Sequence, residues 1–327
     1  MYISIYTKIM ANKRDYPNKQ FRKLVALINK EREEKPKDRI YESRKPKKVN
    51  WIAYNLSQIN NIKEALEFIK KEVERCNEAP RKVGKPVDGK IYAKAVLVCE
   101  LFGLTERNGQ GFIDLFGRSL GIFEKLDDRT IGNAYEKTEV AFILKQIFDR
   151  NKNSNGDLMG DGTGLETSRR QNYGDDKSST KEFLTSIVDS REIVQAFDFS
   201  REDEKDAMLN LIEQVEGEKL KLDAGFNCRE LVRKIAEFGM LPYVYPYKNN
   251  DINGTEAWRE MYLEFFTDVI FWLQEYYMRV HCESFHSAFK RVFGIIRKTR
   301  PHSKFVQVTA RIILHNRARL SYFDKIK

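Results

Sequence analysis

The feature that most constrains this chain is the alternation of strand-like and helix-like segments that begins after the polar stretch NKNSNGD at residues 151 to 157. LMGDGTGLETS reads as a short strand running into a glycine-rich bend, and SIVDSREIVQAFDFS as one or two strands around a turn at Asp189 to Arg191. EDEKDAMLNLIEQV follows as a helix, EKLKLDAG as a strand ending at Asp223, and NCRELVRKIAEF as a helix opened by Asn227 with Glu230 in a capping box. MLPYVYPY reads as an edge or end strand because of its prolines, and TEAWREMYLEFFTDVIFWLQEYYMRV as one long amphipathic helix. Strands interleaved with helices predict an α/β domain, a mixed sheet with helices on its faces.

The preceding residues read as mainly helical. QFRKLVALINKEREE and NNIKEALEFIKKEVER carry apolar residues at three and four spacing, and KPKDRIYESRKPKKVN between them reads as a basic linker. AKAVLVCELFGLTERNGQGFIDLFGRSLGI suggests two short helices broken at Gly109 and Gly111, and Asp128 is placed as the N-cap of the next helix. Such a set suits a DNA-reading helix-turn-helix module and equally a packing or dimerisation region. The expected division is a mainly helical region over residues 1–150 and an α/β catalytic domain with a basic C-terminal helix over 151–327.

Charge narrows the partner. The net +10 divides into 15 Lys+Arg against 6 Asp+Glu in residues 1 to 50, and 12 against 2 in residues 279 to 327, leaving an acidic middle. Two concentrated basic segments suit a polyanion, which makes nucleic acid the leading partner. No apolar run approaches the roughly 18 residues of a membrane helix, and no signal peptide is visible, so no membrane partner is expected. Four cysteines without CxxC spacing, and four histidines without ligand spacing, predict free thiols and no zinc; the expected setting is intracellular, cytoplasmic and nucleoid-associated.

Two aspartates, Asp161 in GDGTG and Asp223 after KLKL, are placed at strand ends, where α/β sheets build their sites. Glu283 lies on the helix expected beside that sheet, with 59 residues between it and Asp223. Each alone also suits a bland role, as a turn former, a cap or part of a solvated stripe. Converging, they would repel unless a cation joined them, and carboxylate oxygens suit Mg²⁺ or Mn²⁺. Two such ions about 3.5 to 4 Å apart can clamp a phosphodiester for in-line displacement. The glycines after Asp161 would let the backbone and DNA approach closely. Tyr276, Arg279, Glu283 and Lys290 recur at spacings that bring them onto one face of a helix.

The order GDGTG, LDAGF and then Y-(2)-R-(3)-E-(6)-K resembles the prokaryotic insertion-sequence DDE transposases, in the group defined by that last spacing. Tyr276, Arg279, Glu283 and Lys290 match it position for position, with Ser284 after the glutamate, and the resemblance spans roughly residues 156 to 320. It implies a ribonuclease H-like fold and a triad of Asp161, Asp223 and Glu283 that binds two Mg²⁺ ions, with Mn²⁺ as a substitute. It also implies DNA contacts from Tyr276, Arg279 and Lys290, and a dimer when two transposon ends are assembled for cleavage and strand transfer into target DNA. The short interval between Asp223 and Glu283 lacks the β-rich insertion of many members, and Trp258 and Trp272 within it are expected in the core. A nuclease without strand transfer and a non-catalytic DNA-binding derivative are the rival readings. Arg297, Lys298, Arg300 and Lys304 are further expected phosphate contacts, and Ile312, Ile313 and Leu320 are expected to point inward with the nearby arginines outward.

Overall fold

The computed structural model describes residues 18–34, 49–77, 87–167, 181–200 and 203–326. The basic linker reading falls mostly on residues outside these, as do Arg169 and Arg170 beyond the first motif. Among the described residues the α-helices α1 (Asn18–Glu34), α2 (Trp51–Glu74), α3 (Gly89–Leu101), α4 (Glu106–Phe116), α5 (Asp128–Ala134) and α6 (Thr138–Asn151) come first. Then follow β1 (Asp157–Glu166), β2 (Lys181–Asp189), β3 (Val194–Ser200), α7 (Glu204–Ile212), β4 (Lys219–Leu222), α8 (Arg229–Glu237) and β5 (Leu241–Val244). The chain ends in α9 (Glu256–Thr267), α10 (Val269–Tyr276), α11 (Val280–Phe293) and α12 (Pro301–Asp324). No helix among the described residues is long and apolar enough to cross a membrane.

The sheet has the order β3-β2-β1-β4-β5. β1, β2 and β3 form an antiparallel meander, while β4 and β5 run parallel to β1. This is the mixed α/β sheet that the alternation of segments predicted. Side chains alternate across β1, so Met159 and Leu165 enter one core and Leu158 enters the other. The first core holds α11, α12 and the helices around α3; the second holds α7, α8, α9 and α10. Helix α1 joins this second layer, where Phe21 meets the rings of Tyr262 and Phe265 at centroid distances of 5.0 and 5.8 Å.

Several local expectations are corrected. The long helix before Tyr276 is two helices, because Asp268 leaves helical geometry and its side chain accepts from Phe271 N at 3.0 Å, starting α10. Gly109 and Gly111 lie inside α4, whose start is Thr105; a Cβ on Gly109 would stand 2.6 Å from Cys99 Sγ, so that glycine lets α4 meet α3. Asp127 caps α5 in place of Asp128, accepting from Thr130 N at 2.6 Å. Asn227 does not cap α8; its amide donates to Tyr245 O at 2.8 Å and to the Tyr262 hydroxyl at 2.7 Å, tying the loop to β5 and α9.

Helix α12 is buried almost all round. Ile312 and Ile313 point inward as expected and Leu320 is half-buried, but Arg311 is inside rather than outside, only 1% exposed. Its Nε donates to Glu100 Oε2 at 2.6 Å, and Glu100 Oε1 accepts from the Tyr135 hydroxyl and Gln307 Nε2, each at 2.8 Å. A buried carboxylate that loses its cation keeps its desolvation cost. Arg311→Ala is therefore expected to lower unfolding free energy by about 3 to 5 kcal/mol in urea titrations. Arg300→Ala removes only an exposed pair with Glu136 and should cost under about 1 kcal/mol.

Candidate functional site

Strand β1 carries Asp161 in its middle rather than at its end, since pairing with β2 continues to Glu166. The parallel ladder to β4 stops earlier, at Gly160 opposite Leu222, and Asp223 is the next residue on the other strand. Both aspartates thus emerge side by side just past the last parallel pair. The flanking glycines look the other way. A Cβ on Gly160 would lie 2.6 Å from Leu222 Cδ2 and 2.8 Å from Met208 Cε, and one on Gly162 would lie 2.6 Å from Glu204 Oε1. They allow α7 to close on the sheet.

Lysines on β4 fix the approach of α10. Glu275 Oε2 sits 2.7 Å from Lys219 Nζ and 3.5 Å from Lys221 Nζ. The next residue, Tyr276, is 1% exposed and donates its hydroxyl to Asp223 Oδ1 at 3.2 Å. A 3-10 turn over Tyr277–Arg279 then redirects the chain into α11. Of the four signature residues Tyr276 is interior, whereas the Glu283 side chain remains 47% exposed.

Helix α11 is held to the sheet by buried polar contacts. The hydroxyl of Ser186, opposite Asp161 on β2, lies 2.9 Å from His286 Nε2 and 3.7 Å from Cys282 Sγ. Burial, then the charge of Lys290, lowers the His286 imidazole to about 3, so its ring is neutral at ordinary pH. With Cys282 and His286 facing in, Glu283 faces the two aspartates' edge, and Lys290 Nζ donates to Thr163 Oγ1 at 2.5 Å. Thr163 shares the Asp161 side of β1. Alternation along that strand could have found it, whereas nothing in the sequence pairs Ser186 with His286.

Arg279 joins the acids. Its Nη1 donates to Glu283 Oε1 at 2.6 Å, its Nη2 stands 3.4 Å from Asp223 Oδ1, and its carbon lies 5.5 Å from the Tyr276 ring centre. Burial works against its charge, but Tyr276, Asp223, Glu283 and Asp161 outweigh that and hold the guanidinium more firmly protonated than usual. Its Nε is buried without a hydrogen-bond partner among the described residues. Asp161 accepts from its neighbour Gly162 N at 2.9 Å. Burial pushes its carboxyl up to about 6, with Asp223 and Glu283 adding to the rise and the Gly162 bond and Arg279 opposing it.

All six expected site residues thus meet along one edge of the sheet, coupled by contact or by charge. The donor set is carboxylate oxygen only, the chemistry a hard divalent cation takes. Among the described residues, however, no three His, Cys, Asp or Glu side chains stand close enough to share one ion. Arg279 reaches both Asp223 and Glu283 in its place.

The other expected phosphate contacts each have a partner within the fold. Lys298 pairs with Glu106, Arg300 with Glu136 and the buried Lys304 with Glu182, while Arg297 Nη1 donates to Gly103 O at 3.0 Å. Trp258 and Trp272 are core residues, 4% and 0% exposed. The four cysteines are free, three of them buried.

In comparisons with known proteins, no family model matches the chain and no curated protein matches it.

The raised Asp161 carboxyl has a measurable consequence. Its protonated form is favoured by folding, so its contribution to stability is complete below 3.8 and is lost as pH rises through about 6. Asp161→Asn, neutral throughout, should gain in melting temperature relative to wild type between about pH 4 and pH 7 and level off above. A difference that stays constant across that range would contradict the burial of this carboxylate.

Proposed function

We propose that the chain is a DNA transposase of the DDE type with a ribonuclease H-like catalytic core, cutting strands at transposon ends and joining them to target DNA. The observation that carries this reading is the meeting of Asp161, Asp223 and Glu283 around Arg279, with Tyr276 on Asp223 and Lys290 on Thr163 of the same strand. Motif residues spread over the distance from Asp161 to Lys290 have no reason to converge on one sheet edge unless they act together. A mixed sheet whose two aspartates emerge from adjacent parallel strands supports the ribonuclease H-like reading.

In this reading Asp161, Asp223 and Glu283 hold Mg²⁺, or Mn²⁺ in its place. Bound there, two such ions supply activation of the attacking oxygen and charge neutralisation at the phosphodiester. The chain's own residues do the rest. Tyr276 holds the Asp223 carboxylate in orientation through its hydroxyl. Arg279 keeps the mutually repelling acids together, and its guanidinium is the group that would meet a DNA phosphate at this edge. Lys290, at the exposed rim of the same edge, offers a point charge to the next phosphate along. Assembly on two ends calls for a homodimer.

The test is Mg²⁺-dependent nicking of DNA carrying the element's terminal sequence. Asp161→Asn, Asp223→Asn and Glu283→Gln should each abolish it while leaving circular dichroism unchanged, and wild-type cleavage by any one of them removes that residue from the site. Wild-type nicking of such an end without joining of a pre-cleaved end to target would favour the simple nuclease. For Lys290→Ala, the slope of log affinity against log salt on duplex DNA should fall by about 0.9, as loss of one phosphate contact requires.

A further inference from the structure

Helix α2 changes character halfway along. Its second half, Lys63 to Glu74, holds seven charged residues, whereas the twelve residues from Trp51 to Ile62 include no Asp, Glu, Lys or Arg in a chain that is 32% charged. One side of the helix is already used. Ala53, Ser57 and Ala65 are buried along α12, and Glu64 accepts from Arg317 Nη2 at 3.1 Å and from Lys325 Nζ, just past α12, at 2.6 Å. Asn50 fixes the start by accepting from Ala53 N at 3.1 Å.

A second stripe of the same uncharged half is apolar and faces solvent. Ile52 and Ile59 leave 76% and 78% of their surface open, and Trp51, Leu56 and Ile62 are exposed with them. Steps of four and three residues put Ile52, Leu56 and Ile59 in one line, and Trp51 and Ile62 widen it on one side. A helix that is apolar on both sides is ordinarily buried on both. The five side chains leave on the order of 600 Å² uncovered, at the top of the range for the largest patch of a typical monomer and near the about 800 Å² that each partner gives a standard interface.

We propose that a second copy of this chain docks on that stripe, so that two α2 helices pack on each other antiparallel across a two-fold axis in the absence of DNA. The charge pattern selects this occupant. A two-fold axis sets a patch against itself, so a charge within it would meet its own copy. The stripe has none to bring together, and an acidic or basic partner would need a complementary charge that it does not carry. A crossing at Ile59 sets Leu56 of each copy against Ile62 of the other, and Lys63 against the uncharged Asn55. Four-three spacing is also that of helices packing side by side. The inference does not rest on the carboxylate reading, which calls for two copies only where two DNA ends are assembled.

The experiment is sedimentation velocity of the full chain, without DNA or metal, over a series of micromolar concentrations. Wild type is expected at twice the mass of one chain. Ile59→Glu sets like charges against each other at the axis and should raise the dissociation constant by about a hundredfold or more. Ile59 is open to solvent within one copy, so the fold should survive, and circular dichroism checks that it does. Ile59→Lys should act alike, and an equimolar mixture of the two variants should regain the dimer, because opposite charges then meet at the axis. Phe238→Lys, at an exposed aromatic past the end of α8 in the other layer, should leave the dimer unchanged. A wild type of single-chain mass throughout overturns the proposal, as does a dimer that survives Ile59→Glu or is lost equally in Phe238→Lys. Loss of the dimer in both Ile59 variants without its return on mixing also overturns it, by removing the pairing of α2 with α2.

Discussion

The guanidinium of Arg279 is the point on which the arrangement turns. Three carboxylates from a central strand, a strand end and a helix are brought to one edge, and like charges at that range oppose folding. Arg279 contacts two of them and lowers the cost of the third. Arg279 closes the 3-10 turn that joins α10 to α11, one helical turn before Glu283.

The sheet makes this edge by ending two ladders at different places. β1 stays paired with β2 past Asp161, which keeps that residue rigid, while the parallel ladder stops at Leu222 and opens space beside Asp223. On the opposite face, Gly160 and Gly162 admit α7, and on the near face Ser186 and His286 fasten α11. On the near face the carboxylate edge is therefore supported by a neutral imidazole, a hydroxyl and a thiol.

Much of this was legible in the chain. The alternation of strands and helices has a local cause, the period of apolar residues, and the mixed sheet follows from it. Asp223 past the end of β4 and Glu283 on a helix were readable because strand ends and helix faces are short-range properties, whereas Asp161, expected at a strand end, lies within β1 because pairing with β2 continues to Glu166. What the sequence concealed was long-range. Asp268 could be seen as a helical residue until its backbone left helical geometry, and Asn227 as a cap until Tyr245 and Tyr262 claimed its amide. The basic tail read as phosphate-binding, yet Lys298, Arg300 and Lys304 find acids on other elements, and Arg311 finds Glu100 in the interior. Pairing of charges across the fold leaves no trace in composition.

The central claim is that the carboxylates gathered by Arg279 are a divalent-cation site. Titration of the protein with Mn²⁺, followed by electron paramagnetic resonance of the free ion, tests it without DNA or turnover. The account predicts that wild type takes up Mn²⁺, that Mg²⁺ competes for the same sites, and that Glu283→Gln and Asp223→Asn lose that uptake. Equal Mn²⁺ uptake by wild type and both variants, or none by wild type, would contradict it.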